Sequence, residues 1–381
     1  MSRAALFAVI APLLACPAAD GGAGSEGEGS SGGGGSSSEG GSSGTAGTSA
    51  TASSSATAST SASTSATTLD DSGSDGGSSG GEGGSTTGDD PPPPEAIAVA
   101  VGYGTRRVRS DDGITWTDFV EVDPNGGDDD ALLRGVCYGD GIFLAVGGGG
   151  SGFSMRSSDG IAWVDELHTL DAFVSDCVRL GDVFVAAGGN GLRARSIDDG
   201  VSWEDESPYY AGHYRAIAAS DALAVAVGHT YGDSTVGLVA TTDGSGPWSS
   251  EQLVGAQYSG RGIAYGHGVF VTHDADGVLR SSSDGADWTE VHDFDAGDGW
   301  MLFADGQFIT AGDGSYWTST DGTRWQAQAG DVRGLVGWLD GHWFSLGWPA
   351  TIDVSDDLAS WQNVFAPGGS GLTDIAIGVP G

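Results

Sequence analysis

The chain contains no lysine; its 14 cationic side chains are all arginine, set against 52 aspartates and glutamates for a formal net charge of −38. That balance repels nucleic-acid phosphate and anionic lipid headgroups, so neither is expected as a partner. Cysteine is scarce, with three residues, and no Cys/His cluster has the spacing of a zinc site. Apart from one run near the N-terminus, no apolar stretch approaches the ~18 residues that suggest a bilayer span. Glycine is the residue in excess, at 69 of 381, and it is unevenly spread.

Met1-Ser2-Arg3 is a short basic start, and Ala4 to Leu14 is an apolar run of signal-peptide length, so residues 1–15 read as an export signal. The run ends in Leu13-Leu14-Ala15-Cys16, which resembles the bacterial lipobox, where a peptidase cuts before a cysteine that receives a diacylglycerol. The resemblance implies lipidation of Cys16 and a lipid anchor at an outer membrane or cell surface. The alternative is secretion with cleavage near Pro17-Ala18-Ala19, which discards Cys16; a solvated stalk directly after Cys16 favours the anchor. Residues 16–94 are Gly, Ser, Thr, Ala and acid with almost no large apolar side chain, too little to offset the entropy of ordering. They read as a disordered linker of about 50 Å root-mean-square span, ending in the stiff run Pro91-Pro92-Pro93-Pro94.

From 95 to 381 one phrase recurs seven times. It reads Ser110-Asp111-Asp112-Gly113 to Trp116, Ser157-Ser158-Asp159-Gly160 to Trp163 and Ser196-Ile197-Asp198-Asp199-Gly200 to Trp203. It continues as Thr241-Thr242-Asp243-Gly244 to Trp248, Ser282-Ser283-Asp284-Gly285 to Trp288, Ser319-Thr320-Asp321-Gly322 to Trp325, and Ser355-Asp356-Asp357-Leu358 to Trp361. The tryptophans step by 36 to 47 residues, a period that signals stacked supersecondary units. Between them lie four strand signals. In the second unit these are Arg134 to Tyr138, the hairpin turn Asp140-Gly141, Ile142 to Val146, Phe153 to Arg156, and a fourth strand running through Trp163. Four antiparallel strands per repeat make a propeller blade. Acids on the fourth strands, such as Glu204-Asp205-Glu206, discourage edge pairing.

The phrase resembles the Asp box of sialidases, sortilin-type receptors and the photosystem II assembly factor family, Ser-x-Asp-x-Gly-x-x-Trp. Only the copy from Ser196 to Trp203 has that full spacing; Trp116, Trp163, Trp288 and Trp325 end copies one residue shorter, Trp248 ends one with Gly displaced, and Leu358 replaces Gly in the last. The resemblance implies an all-β fold with structural, not catalytic, turns. The count is seven blades, with one irregularity: the first unit opens at Ala96 to Gly102, which matches second strands elsewhere. Leu372 to Gly378 matches a first strand, so residues 372–379 are expected to pair with 95–103 and close the ring.

Ligand sites are expected on the loops opposite these turns. Three first strands begin with an aligned arginine, Arg134, Arg215 and Arg261, and the nearby loops carry Tyr103, Tyr209, Tyr210, His213, His229, Tyr231, Tyr258, His273, Asp274 and Trp348. An arginine cluster would clamp a carboxylate; the alternative is that each arginine pairs with an acid of its own blade. The sialidase resemblance does not extend to catalysis, since the Arg-Ile-Pro motif is absent and no Tyr and Glu pair matches, so no catalytic residue is assigned. Asp123, Asn125, Asp128, Asp129 and Asp130 crowd one loop, and Asp274 with Asp276-Gly277 resembles a fragment of a calcium loop, but neither completes a motif, and no cofactor is expected. Cys137 and Cys177 fall in the first strands of adjacent blades, offset by one repeat position; a disulfide and two small core residues both fit. The expectation is a monomeric, envelope-anchored module that binds a protein or glycan through its loop face, with a sialidase-like glycoside hydrolase as the alternative.

Overall fold

Short apolar runs separated by two-residue Asp-Gly turns favour hairpins, because both turn residues must take φ > 0 and this hand matches the strand twist. The computed structural model describes residues 95–122, 132–207, 212–230, 233–252, 260–274, 276–294 and 299–381. The signal, Cys16 and linker assignments lie outside these residues, as do Tyr209, Tyr210, Tyr231, Tyr258 and the acidic loop from Asp123 to Asp130. The described residues form seven four-stranded antiparallel sheets, the blades of a seven-bladed β-propeller.

In blade 2 the strands are Leu133–Gly139, Ile142–Gly147, Gly152–Ser157 and Val164–Leu170, with Asp140 and Gly141 at φ +51° and +80° between the first two. The fourth strand starts after Trp163, one residue later than expected. Trp163 instead completes the turn, its Nε1–H donating to the Gly160 carbonyl at 3.0 Å. The ring closes as the repeat alignment requires. Leu372–Gly378 pairs antiparallel with Ile97–Gly102, Ile97 opposite Gly378 and Val99 opposite Ala376, so blade 1 joins the two ends of the domain and has four strands like the others.

Each Ser-x-Asp turn is fixed by its own side chains. At the sixth, Asp321 Oδ1 accepts the N–H groups of Thr323 and Arg324 at 2.9 and 2.8 Å, while Ser319 Oγ accepts that of Gly322 at 2.9 Å. These bonds reward the ionised acid; Thr115 and Ile114 N–H groups on the Asp112 carboxylate hold its pKa at about 2. The glycine has a second task. Gly200, at φ +82°, lies so close to blade 2 that a Cβ would sit 2.4 Å from Leu144 Cδ1. Gly200→Ala therefore combines left-handed strain with overpacking and should lower stability by about 2–4 kcal/mol in urea unfolding; a change under about 0.5 kcal/mol would contradict this packing. The tryptophans seal the same seams: Trp116 meets Phe344 of blade 7 edge-on at 6.0 Å, and Trp203 Nε1–H donates to Ser154 Oγ of blade 2 at 3.0 Å.

This topology makes two faces. First-to-second hairpins and Ser-x-Asp turns share the turn face; second-to-third loops and blade-to-blade connections share the loop face. Ile97, where blade 1 begins, is on the turn face opposite Gly378, and Gly381 N–H donates to Ser158 O of a turn there at 3.0 Å.

Candidate binding face

The first strands line the ring's axis, and six carry the same irregularity near the loop face. The register shifts between Leu133 and Gly135, Val174 and Asp176, Tyr214 and Ala216, Gly260 and Gly262, Leu335 and Gly337, and at Val101/Gly102 opposite Thr373. A bulge adds one unpaired residue and re-aims its side chain. Arg134, Arg215 and Arg261 are all such residues, which is why they align. The arginines have therefore left the pleat of the ladder; for Arg261 only the backbone is described.

Arg134 turns onto the next blade. Its guanidinium lies 4.3 Å above the Phe173 ring and its Nε donates to Gly148 O at 2.9 Å. Phe173 stacks on His213 at 5.7 Å and 17°, and His213 meets His229 at 5.6 Å, its direct cross-strand partner. The result is a strip across blades 2, 3 and 4, with Arg215 exposed beside it. Burial, and then the Arg215 charge, hold the His213 pKa below its ordinary value, so this imidazole is neutral at physiological pH. Phe173 was absent from the sequence candidates because it lies in a connecting loop with no repeat signature.

A second group lies across blades 7 and 1. Tyr103 and Trp348 each follow the glycine that ends a second strand; in blade 4 His229 follows the matching Gly228, but the strand there runs on to Thr230. Their rings meet at 5.8 Å and 89°, and Trp348 is 67% exposed.

Two sequence candidates belong elsewhere. His273 is fully buried, next to last in the strand Val269–Asp274, where other blades place Val, Ala or Leu. Its Nδ1–H donates to Thr310 Oγ1 at 2.7 Å, and burial lowers its pKa to about 4. Asp274 does not form an open cation loop: Oδ1 accepts the N–H groups of Asp276 and Val278, and Oδ2 pairs with Arg280 at 2.5 Å. Among the described residues three further acids are likewise engaged, Glu121 by Arg106, Glu206 by Arg195 and Asp353 by Arg333.

Around the axis the first strands are linked in series. Val136 N–H donates to Asp374 Oδ2 at 2.8 Å, joining blades 1 and 2; Cys137 and Cys177 form a disulfide between blades 2 and 3; and Ile217 N–H donates to Asp176 Oδ2 at 3.0 Å, joining blades 3 and 4. Both carboxyls are buried. Burial raises both pKa values well above the carboxylate range, and the Asp176 charge raises Asp374 further. Because the folded values exceed the unfolded ones, the stability these groups add is complete below the ordinary carboxylate pKa and is lost as pH climbs through the folded values. His273 works in the opposite sense, its contribution disappearing as pH falls from 6.5 toward about 4. Above about pH 6.5, where His273 is neutral in both states, unfolding free energy should thus fall as pH rises even at about 1 M salt, where surface repulsion is screened within about 3 Å. Asp176→Asn with Asp374→Asn should flatten that slope; an unchanged slope in the double variant would exclude the buried pair as its source.

No protein-family model matches the chain, and no curated protein matches it. Among solved structures, YCF48 bound to a D1 peptide is 16% identical, covering 67% of this chain and 89% of that one, with a TM-score of 0.49. The computationally designed Ika8 protein is 12% identical, covering 74% and 93%, with a TM-score of 0.47. The WD40 β-propeller domain of Doa1 is 15% identical, covering 64% and 91%, with a TM-score of 0.45.

Proposed function

We propose that this chain is an exported, envelope-anchored binding module that engages a protein or glycan through the loop face of its propeller and performs no chemistry. The observation that carries the reading is the composition of that face. It collects the Tyr103–Trp348 pair and the Arg134–Phe173–His213–His229 strip, while Glu121, Glu206, Asp274 and Asp353 are engaged by arginines. A glycosidase requires two carboxyls facing one substrate bond. In this reading the domain is monomeric, contacts the membrane only through its anchor, and takes no nucleic acid and no cofactor.

The rival is a sialidase-like hydrolase. Assays against aryl sialosides and other aryl glycosides should give no turnover above a buffer blank. Turnover that disappears in Arg215→Ala would overturn the reading, because Arg215 is the exposed bulge arginine of the loop face.

A further inference from the structure

Trp348 is the most exposed aromatic side chain among the described residues, yet it is held in place. A Cβ on Gly371 would lie 2.7 Å from its Cε3, so the indole rests against that glycine backbone; Gly371 O in turn accepts the Tyr103 N–H at 3.1 Å. Tyr103 stands against the indole at 89°. The two rings thus make a right-angled corner on neighbouring blades whose walls do not need ordering by a ligand. Both π faces carry partial negative charge and attract a cation placed over them. The adjoining arginine Arg106 is already engaged by Glu121, and the chain as a whole carries −38, so the long-range field draws in positive ligands and repels anionic ones.

We propose that the Tyr103–Trp348 corner is a subsite for the cationic side chain of a basic segment in a partner protein, an arginine or lysine held by cation–π contact. The proposal rests on the loop face being the binding face and specifies the chemistry of one of its partners. Arginine fits better than lysine, because its flat and weakly hydrated guanidinium can stack on the indole while its edge meets the phenol. The strip on blades 2 to 4, which carries positive charge, is a separate sector and is not part of this subsite.

The test uses the full chain labelled with 5-fluorotryptophan. The 19F resonance missing from Trp348→Phe identifies Trp348, and it is followed during titration with the tripeptide acetyl-Gly-Arg-Gly-amide and with its citrulline counterpart, which keeps the shape and removes the charge. The arginine peptide should shift the Trp348 resonance saturably and bind about tenfold more tightly than the citrulline peptide; Tyr103→Ala should weaken it by about fivefold. Equal affinity for the two peptides would overturn the proposal, as would a resonance that does not respond. A saturable response to methyl glucoside or to phosphatidylcholine vesicles, with none to the arginine peptide, would reassign the corner to a sugar or a lipid headgroup. Failure here leaves the loop face as the binding face intact if photocrosslinks still form there; loss of those crosslinks would remove both.

Discussion

Deleting residues 372–381 should abolish cooperative unfolding, or lower the melting temperature by more than about 10 °C, in circular dichroism melts. The segment is the first strand of blade 1, and much converges on it. It buries Leu372, Ile375, Ala376 and Ile377, and burying each large aliphatic is worth about 1.5–3 kcal/mol. Thr373 Oγ donates to Leu133 O at 2.8 Å, and Tyr138 OH donates to Val379 O at 2.6 Å, so blade 2 loses anchors along with blade 1. Removing the strand also exposes the edge formed by Ile97–Gly102, an apolar template for aggregation. Set against a typical net stability of about 5–15 kcal/mol, these losses together should unfold the ring. A truncated chain melting within a few degrees of the full one would show that blade 1 does not need this strand.

Replacing Cys137 and Cys177 together by serine should cost about 2–4 kcal/mol, since the bridge closes a loop with a sequence separation of 40 in the unfolded chain. The bond is the middle member of a series. With Asp374 on one side and Asp176 on the other, it ties four successive first strands around the axis. Cutting it should therefore loosen both flanking hydrogen bonds, so that the serine pair and Asp176→Asn cost less together than the sum of the two. Denaturant titrations of the single sets and of the combination measure this. Alkylation of the unreduced, denatured protein should leave both cysteines unlabelled, and labelling of both would exclude the bridge.

Local signals foretold the architecture well and the site poorly, for a physical reason. Ser, Asp, Gly and Trp at the turns act within a few residues of themselves, so the turns announce the blades directly. The closing strand was legible because Leu372 to Gly378 has no place in blade 7 and repeats the pattern of a first strand. A bulge, in contrast, has no residue signature of its own. The alignment of Arg134 with Arg215 was visible, but the re-aiming that lays Arg134 over Phe173 depends on an extra residue in the register. His273 looked like a loop-face ligand because histidines mostly sit where water reaches them; it is buried because it falls inside a second strand of ordinary length, Val269–Asp274, at the position other blades fill with Val, Ala or Leu. Asp176 and Asp374 were lost among 52 acids, since nothing in composition separates a carboxylate that caps a bulge from one that solvates a surface.

The most direct test of the loop face as the working face is site-specific photocrosslinking in the native host. A photoreactive phenylalanine would be placed at position 215 or 348 on the loop face and, in separate strains, at Ile161 or Ile197, exposed residues of the turn face. Specific adducts should arise from positions 215 and 348 and be absent from 161 and 197. Adducts confined to the turn face would contradict the account and place the partner on the opposite side of the ring.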